Sequence, residues 1–165
     1  MEVRDVMVEA PASCGPATNL SDVVDIFRAR KCGFLPVVDQ QQKVVGVVTD
    51  RDICIALGEG NRLPADIVVG EIATKKVFSC QADDDIRTAL RTMGAAKVRR
   101  LPVVDVEGKL KGVLSMDDVV LHTEGFSPGH LLELSCLDVV DTLKKVYPPR
   151  PPAETLEPAN WYGGE

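Results

Sequence analysis

Phe34-Leu35-Pro36-Val37-Val38-Asp39 returns as Arg100-Leu101-Pro102-Val103-Val104-Asp105, with the last five residues unchanged at an offset of 66. The register extends outward without a gap. Val3 falls on Val69, Ser13-Cys14 on Ser79-Cys80, Lys31 on Lys97, Gly46-Val47 on Gly112-Val113 and Asp52 on Asp118. Conservative pairs fill the intervals: Asp5 with Glu71, Leu20 with Ile86, Thr49 with Ser115, Ile53 with Val119. A register kept over so many positions marks a duplicated supersecondary unit, so the fold is built twice.

Within each copy the hydrophobic spacing names the elements. Leu20, Val23, Val24, Ile26 and Phe27 recur at helical period, with Thr18 or Asn19 as N-cap. Phe34–Val38 and Val44–Thr49 are short β-branched runs joined by a polar turn, a hairpin signature, and a helix over about 50–57 follows. The second copy repeats this order, with a helix over about 84–97, strands near Leu101–Val104 and Leu110–Ser115, and a helix over 116–122. Brief strands are expected at Ala12–Cys14 and Phe78–Cys80. The expected fold class is α+β, two pseudo-symmetric repeats of a small mixed sheet with packing helices.

The division read from the sequence is 1–60 for the first repeat, 61–68 for a linker and 69–124 for the second repeat. Residues 125–147 form a helical extension and 148–165 a Pro-rich tail expected to be disordered. The extension has no counterpart in the first copy. It either caps the domain or supplies an oligomer or partner contact.

With 165 residues, 45% hydrophobic and 27% charged, the chain can build one sizeable core or two small ones. Aromatic residues are only 4%, which leaves the core to aliphatic side chains. A net charge of −6 argues against a nucleic-acid binder. No apolar run reaches the ~18 residues of a membrane span and no signal-like stretch opens the chain, so a cytoplasmic protein is expected. Five cysteines without Cys-x-x-Cys or Cys/His spacing suggest neither zinc nor a disulfide framework. Catalysis is not expected: no Ser/His/Asp or Cys/His set and no phosphate-binding Gly-Lys loop is present.

The chemistry concentrates where each second strand runs into a helix. The two segments are Gly46-Val47-Val48-Thr49-Asp50-Arg51-Asp52 and Gly112-Val113-Leu114-Ser115-Met116-Asp117-Asp118. A hydroxyl followed three residues later by an acid is a capping box, and capping alone accounts for the pattern. The same carboxylate can also accept from a vicinal diol such as a ribose, with the helix start serving phosphate or sugar oxygens.

This doubled pattern resembles the cystathionine-β-synthase (CBS) domain, whose tandem copies form the Bateman module. The matching residues are the two Leu-Pro-Val-Val-Asp strands and the two Gly-to-Asp segments, and the resemblance covers about 3–124. It implies two clefts between paired repeats that bind AMP, ADP, ATP or S-adenosylmethionine as a regulatory ligand, with no obligatory cofactor and no metal. The ribose-binding acid maps to Asp52 and Asp118, and its hydroxyl partner to Thr49 and Ser115. The adenine pocket maps to Leu35-Pro36 and Leu101-Pro102, with Ser13-Cys14 and Ser79-Cys80 behind them. The phosphate position maps to Lys97, Arg99 and Arg100, a cationic rim or simply a solvated strand edge. Since the first copy has Gly33-Phe34 in place of that rim, its pocket is expected to be weak or to prefer a neutral adenosyl group. The resemblance also implies a homodimer and a separate regulated protein. The alternative is a ligand-independent dimerisation or protein-interaction scaffold.

Overall fold

The computed structural model describes residues 1–123 and 134–147. In chain order it contains β1 (Val8–Glu9), α1 (Leu20–Arg30), β2 (Phe34–Val38), β3 (Val44–Thr49), α2 (Asp50–Gly58) and α3 (Val69–Ile72). These are followed by α4 (Ile86–Ala96), β4 (Arg100–Val104), β5 (Leu110–Ser115), α5 (Met116–Leu121) and α6 (Cys136–Val146). Single 3-10 turns lie at Val3–Asp5 and Pro64–Asp66. The architecture is α+β and double. The first part of the expected 125–147 extension, up to residue 133, and the tail from Pro148 lie outside the described residues.

Each repeat centres on an antiparallel hairpin. Phe34 pairs with Thr49 and Val37 with Gly46; Arg100 pairs with Ser115 and Val103 with Gly112. Pro36 and Pro102 lack an amide hydrogen, so they suit a lightly paired edge. Their carbonyls accept from the Cys14 and Cys80 amides at 3.1 Å each, giving one parallel bridge per repeat where the brief strands are expected. The invariant Asp that closes each pentapeptide shapes the turn. Asp39 Oδ1 accepts from the amides of Gln41 and Lys43, and Asp105 Oδ1 from those of Glu107 and Lys109. Gln42 and Gly108 take the left-handed position that this turn requires.

The repeats then cross over. Val3 N–H donates to Asp84 O at 2.9 Å, and Val69 N–H to Thr18 O at 2.8 Å. Val8 pairs with Val113, and Thr74 bridges Val47. Leu20 N–H reaches Ile67 O, and Ile86 N–H reaches Met1 O. Every pair is matched by its partner 66 residues away, so the opening segment of each repeat is built into the other. Val3 and Val6 are buried with Ile86, Leu90, Met93, Leu101, Val103 and Leu114. Ile67 and Val69 are buried with Leu20, Val23, Leu35, Val37 and Val48. The 61–68 stretch expected as a linker thus carries a turn and a core residue. Arg62 ties it to α3 through a paired contact with Glu71, whose carboxyl that hydrogen bond pulls down to about 2.

At their tips the hairpins meet reciprocally: Val44 N–H donates to Gly108 O and Leu110 N–H to Gln42 O, both at 3.0 Å. On the far side, α6 packs along α4. Leu134, Val139 and Val146 are buried there, and a side chain on Gly94 would meet Lys145 at 3.1 Å. Of the two roles open for the extension, the described part of it covers the second repeat. Among the described residues the matching face of the first repeat has no such cover: Leu90 is 3% exposed, whereas its counterpart Val24 is 42% exposed.

Cys14 and Cys80 pack as small apolar side chains. Burial pushes their thiols up from the ordinary value of 9 to about 11 and about 12. A native thiol held protonated binds more protons than its unfolded counterpart, so this contribution is present below pH ~9 and is lost as pH rises past it. Alkylation at pH 8 is expected to label exposed Cys54 and Cys136 first and to spare Cys14 and Cys80 until the chain unfolds. Mass spectrometry of the labelled peptides checks this, and early modification of Cys14 would contradict the packing described.

Candidate functional site

Both hydroxyl-x-x-Asp segments form the capping boxes that their sequence allows. Asp52 Oδ2 accepts from Thr49 N–H at 2.8 Å and from Thr49 Oγ1 at 2.6 Å, while Asp52 N–H donates to Thr49 Oγ1 at 3.2 Å. Asp118 repeats the arrangement. Its Oδ2 accepts from Ser115 N–H at 3.1 Å and from Ser115 Oγ, and its N–H donates back to Ser115 Oγ at 3.1 Å. In each case one oxygen is consumed. Oδ1 has no hydrogen-bond partner among the described residues, and the cap fixes the rotamer that presents it.

Capping does not by itself make a site. Ser135 and Asp138 build the same box at the start of α6, and there the acid lies beside Arg87 at 3.5 Å. What distinguishes Asp52 and Asp118 is the space in front of them.

Asp118 and Ser115 line a cleft of about 570 Å³. Its other walls come largely from the first repeat: Val8 to Ala12, then Arg30, Lys31 and Cys32 where α1 ends, then Phe34 and Leu35. Asp52 and Thr49 line a second cleft, of about 490 Å³. The second repeat supplies Thr74, Lys76, Val77 and Phe78 from its opening segment, then Ala96 to Arg100 and Pro102. Each cleft therefore joins the acid of one repeat to the helix end and strand start of the other. The crossover of the opening segments is the cause: the end of α1 lies across one cleft from β5, and the end of α4 across the other from β3.

This topology moves the cationic rim. Lys97, Arg99 and Arg100 precede the second repeat's strand, yet all three line the cleft of Asp52 in the first repeat. Arg100 also reaches the Asp118 cleft, 3.6 Å from Asp117. The Gly33-Phe34 start of the first repeat therefore does not leave the cleft of its acid without cations. The local sequences explain the unequal starts. Gly33 leaves room for Asp50, whose Oδ2 would lie 2.6 Å from an added Cβ, whereas Arg99 faces Met116 at the same register.

Leu35 edges the Asp118 cleft and Pro102 the Asp52 cleft. Pro36 and Leu101 line neither, Leu101 being wholly buried in the second core. Ser13 and Cys14 line a separate depression with Val38 and Asp39, and Ser79 and Cys80 line neither cleft. Their bridges to Val37 and Val103 hold them at the other edge of each hairpin from the incoming segment. Among the cleft residues that the local sequence does not single out are Ala10 to Ala12 with Lys76 to Phe78, and Arg30 with Lys31. The offset of 66 relates the first two segments, and that equivalence was the available signal.

Two lysines hold unusual backbone positions. Lys31 and Lys97 end α1 and α4 at φ 51° and 56°, the left-handed conformation that glycine or asparagine adopts at least cost. Each lines a cleft. Among the described residues no group of three His, Cys, Asp or Glu is placed to hold a metal ion, and no helix is long and apolar enough to cross a membrane.

A model of the CBS domain matches residues 3–59 and 69–124. An uncharacterised protein of Methanopyrus kandleri is 26% identical over 71% of this chain and 57% of its own length. Inosine-5'-monophosphate dehydrogenase of Aquifex aeolicus is 30% identical over 69% of this chain and 23% of its own. The chain thus spans just over half of the first of these relatives and under a quarter of the second. The crystal structure of CBSX2 in complex with AMP superposes with a TM-score of 0.63 at 32% identity, covering 73% of this chain and 93% of that one.

Proposed function

The chain belongs to the CBS domain family, with one domain in each repeat, and from that premise we propose that it is a regulatory, non-catalytic module. It binds an adenosyl ligand (AMP, ADP, ATP or S-adenosylmethionine) in its two clefts and modulates a separate partner protein. The observation that carries this reading is the pair of cap-locked carboxylates at the wall of a cleft, each with an Oδ1 that no described residue engages. Such an oxygen accepts from the two hydroxyls of a ribose without further reorganisation. Thr49 and Ser115 orient the acids, and Phe34, Leu35, Phe78 and Pro102 offer apolar surface for an adenine ring. The AMP complex of CBSX2 supports the ligand class. A ligand held between the repeats would favour one arrangement of them, and a partner that distinguishes arrangements reads its occupancy.

A docking role is supported by a separate observation. Leu121 on α5 and Leu137 on α6 are 82% and 72% exposed. They offer apolar surface to a second copy or to the partner.

Thermal unfolding against a panel of adenosyl compounds tests the binding. At least one member is expected to raise the midpoint, and Asp52→Asn with Asp118→Asn is expected to weaken that ligand about tenfold or more. Asparagine keeps an oxygen for the cap, so the unliganded midpoint should change little. No stabilisation by any member at millimolar concentration would count against the reading and favour a ligand-independent scaffold.

A further inference from the structure

The two clefts share a plan but not a charge. Five cations (Arg51, Lys76, Lys97, Arg99 and Arg100) line the Asp52 cleft against two carboxylates, Asp50 and Asp52. Three cations and three carboxylates line the Asp118 cleft. Arg100 counts in both, and the contrast survives its removal from each. Geometry reinforces the difference. Arg100 is already shared with Asp117 on the Asp118 side. Among the described residues Lys97 has no ion-pair or hydrogen-bond partner through its ammonium, and Arg99 meets a neutral group, the Tyr147 ring and its hydroxyl at 3.0 Å. The left-handed backbone makes Lys97 costlier than glycine at that place, but Lys31 in the Asp118 cleft holds the same conformation, so the charge balance and not this strain separates the clefts.

We infer that the Asp52 cleft selects a polyphosphate-bearing ligand, a nucleoside di- or triphosphate, while the Asp118 cleft takes an adenosyl ligand with at most one phosphate. This rests on the adenosyl reading above and adds the discrimination between the clefts. Guanidinium and ammonium groups donate to phosphate oxygens through charge-assisted bonds, and each further phosphate adds charge for them to neutralise. In a cleft whose charges already balance, added phosphates gain nothing.

Titration calorimetry with adenosine, AMP and ATP in magnesium-free buffer, on Asp118→Asn and on Asp52→Asn protein, reads one cleft at a time. With only the Asp52 cleft intact, ATP is expected to bind about tenfold or more tighter than AMP. With only the Asp118 cleft intact, ATP is expected to bind no tighter than AMP. Lys97→Gly should weaken ATP and leave adenosine unchanged, with no loss of thermal stability because the backbone strain is relieved. Equal dependence on phosphate number in the two clefts, or a Lys97→Gly effect of the same size on adenosine and ATP, overturns the inference. Inorganic tripolyphosphate separates the two readings. If it binds in a Lys97-dependent way while no adenosyl compound binds, the anion site stands and the adenosyl reading fails. If adenosine binds and tripolyphosphate does not, the adenosyl reading stands and this inference fails.

Discussion

Val3→Asp is expected to unfold the second repeat first, although residue 3 opens the first. Val3 is wholly buried among Ile86, Met93 and Leu101, and its amide is spent on Asp84 O. The described side chains of that core are apolar, so an aspartate there must be buried charged or protonated. Either costs roughly 4 kcal/mol or more, a large share of a small domain's stability. Hydrogen exchange is the measurement that locates the damage. Amides of α4, β4 and β5 should lose protection before those of β2 and β3. Val69→Asp, the same change 66 residues on, should do the reverse, because Val69 lies in the core of Leu20, Leu35 and Val48. Loss confined to residues 12–60 in Val3→Asp would contradict the crossover.

Gly112→Ala is expected to cost about 2–3 kcal/mol, toward the upper end for overpacking, with Gly46→Ala costing distinctly less. An added Cβ at Gly112 would lie 2.9 Å from Val8 O and 2.8 Å from Met7 Sδ; at Gly46 the nearest atom is Thr74 O at 3.3 Å. The sulfur can swing away. The Val8 carbonyl cannot, because Val8 is paired to Val113 in β1–β5. Replacing a strand glycine with alanine should otherwise stabilise by about 0.5–1 kcal/mol. The sign is therefore informative. Urea midpoints of the two variants decide it, and a stabilised Gly112→Ala would mean that β1 does not lie across β5.

The glycine that opens each Gly-to-Asp segment thus has a tertiary reason. It admits the strand or bridge that arrives from the other repeat's opening segment. Nothing within Gly46-Val47-Val48 or Gly112-Val113-Leu114 announces this. The offset makes the two segments equivalent without saying which copy of the opening segment each one meets.

The same distinction runs through the site. Asp52, Thr49, Asp118 and Ser115 were legible because strand ends, hydroxyl caps and acids are local features. The caps form within four residues and need no distant partner. Lys97, Arg99 and Arg100 were legible as a cluster, but their destination was not. A cation reaches whichever cleft its backbone borders, and that is decided when α4 ends across the cleft from β3 of the first repeat. Arg30 and Lys31 carry no local signal for the same reason. They close a helix in the sequence and wall a cleft only in the assembled molecule.

By itself the sequence determined the duplication, the α+β class, the two hairpins and the positions of the capping acids. Those follow from periodicity and short-range hydrogen bonding, which act between near neighbours. Only the tertiary structure decided which repeat completes which core and which cations face which acid. A repeat whose opening segment packs against itself has nearly the same local pattern as one that exchanges it. What separates the two is the reach of the chain and the burial of Val3 and Val69, and these exist only once both halves are folded together.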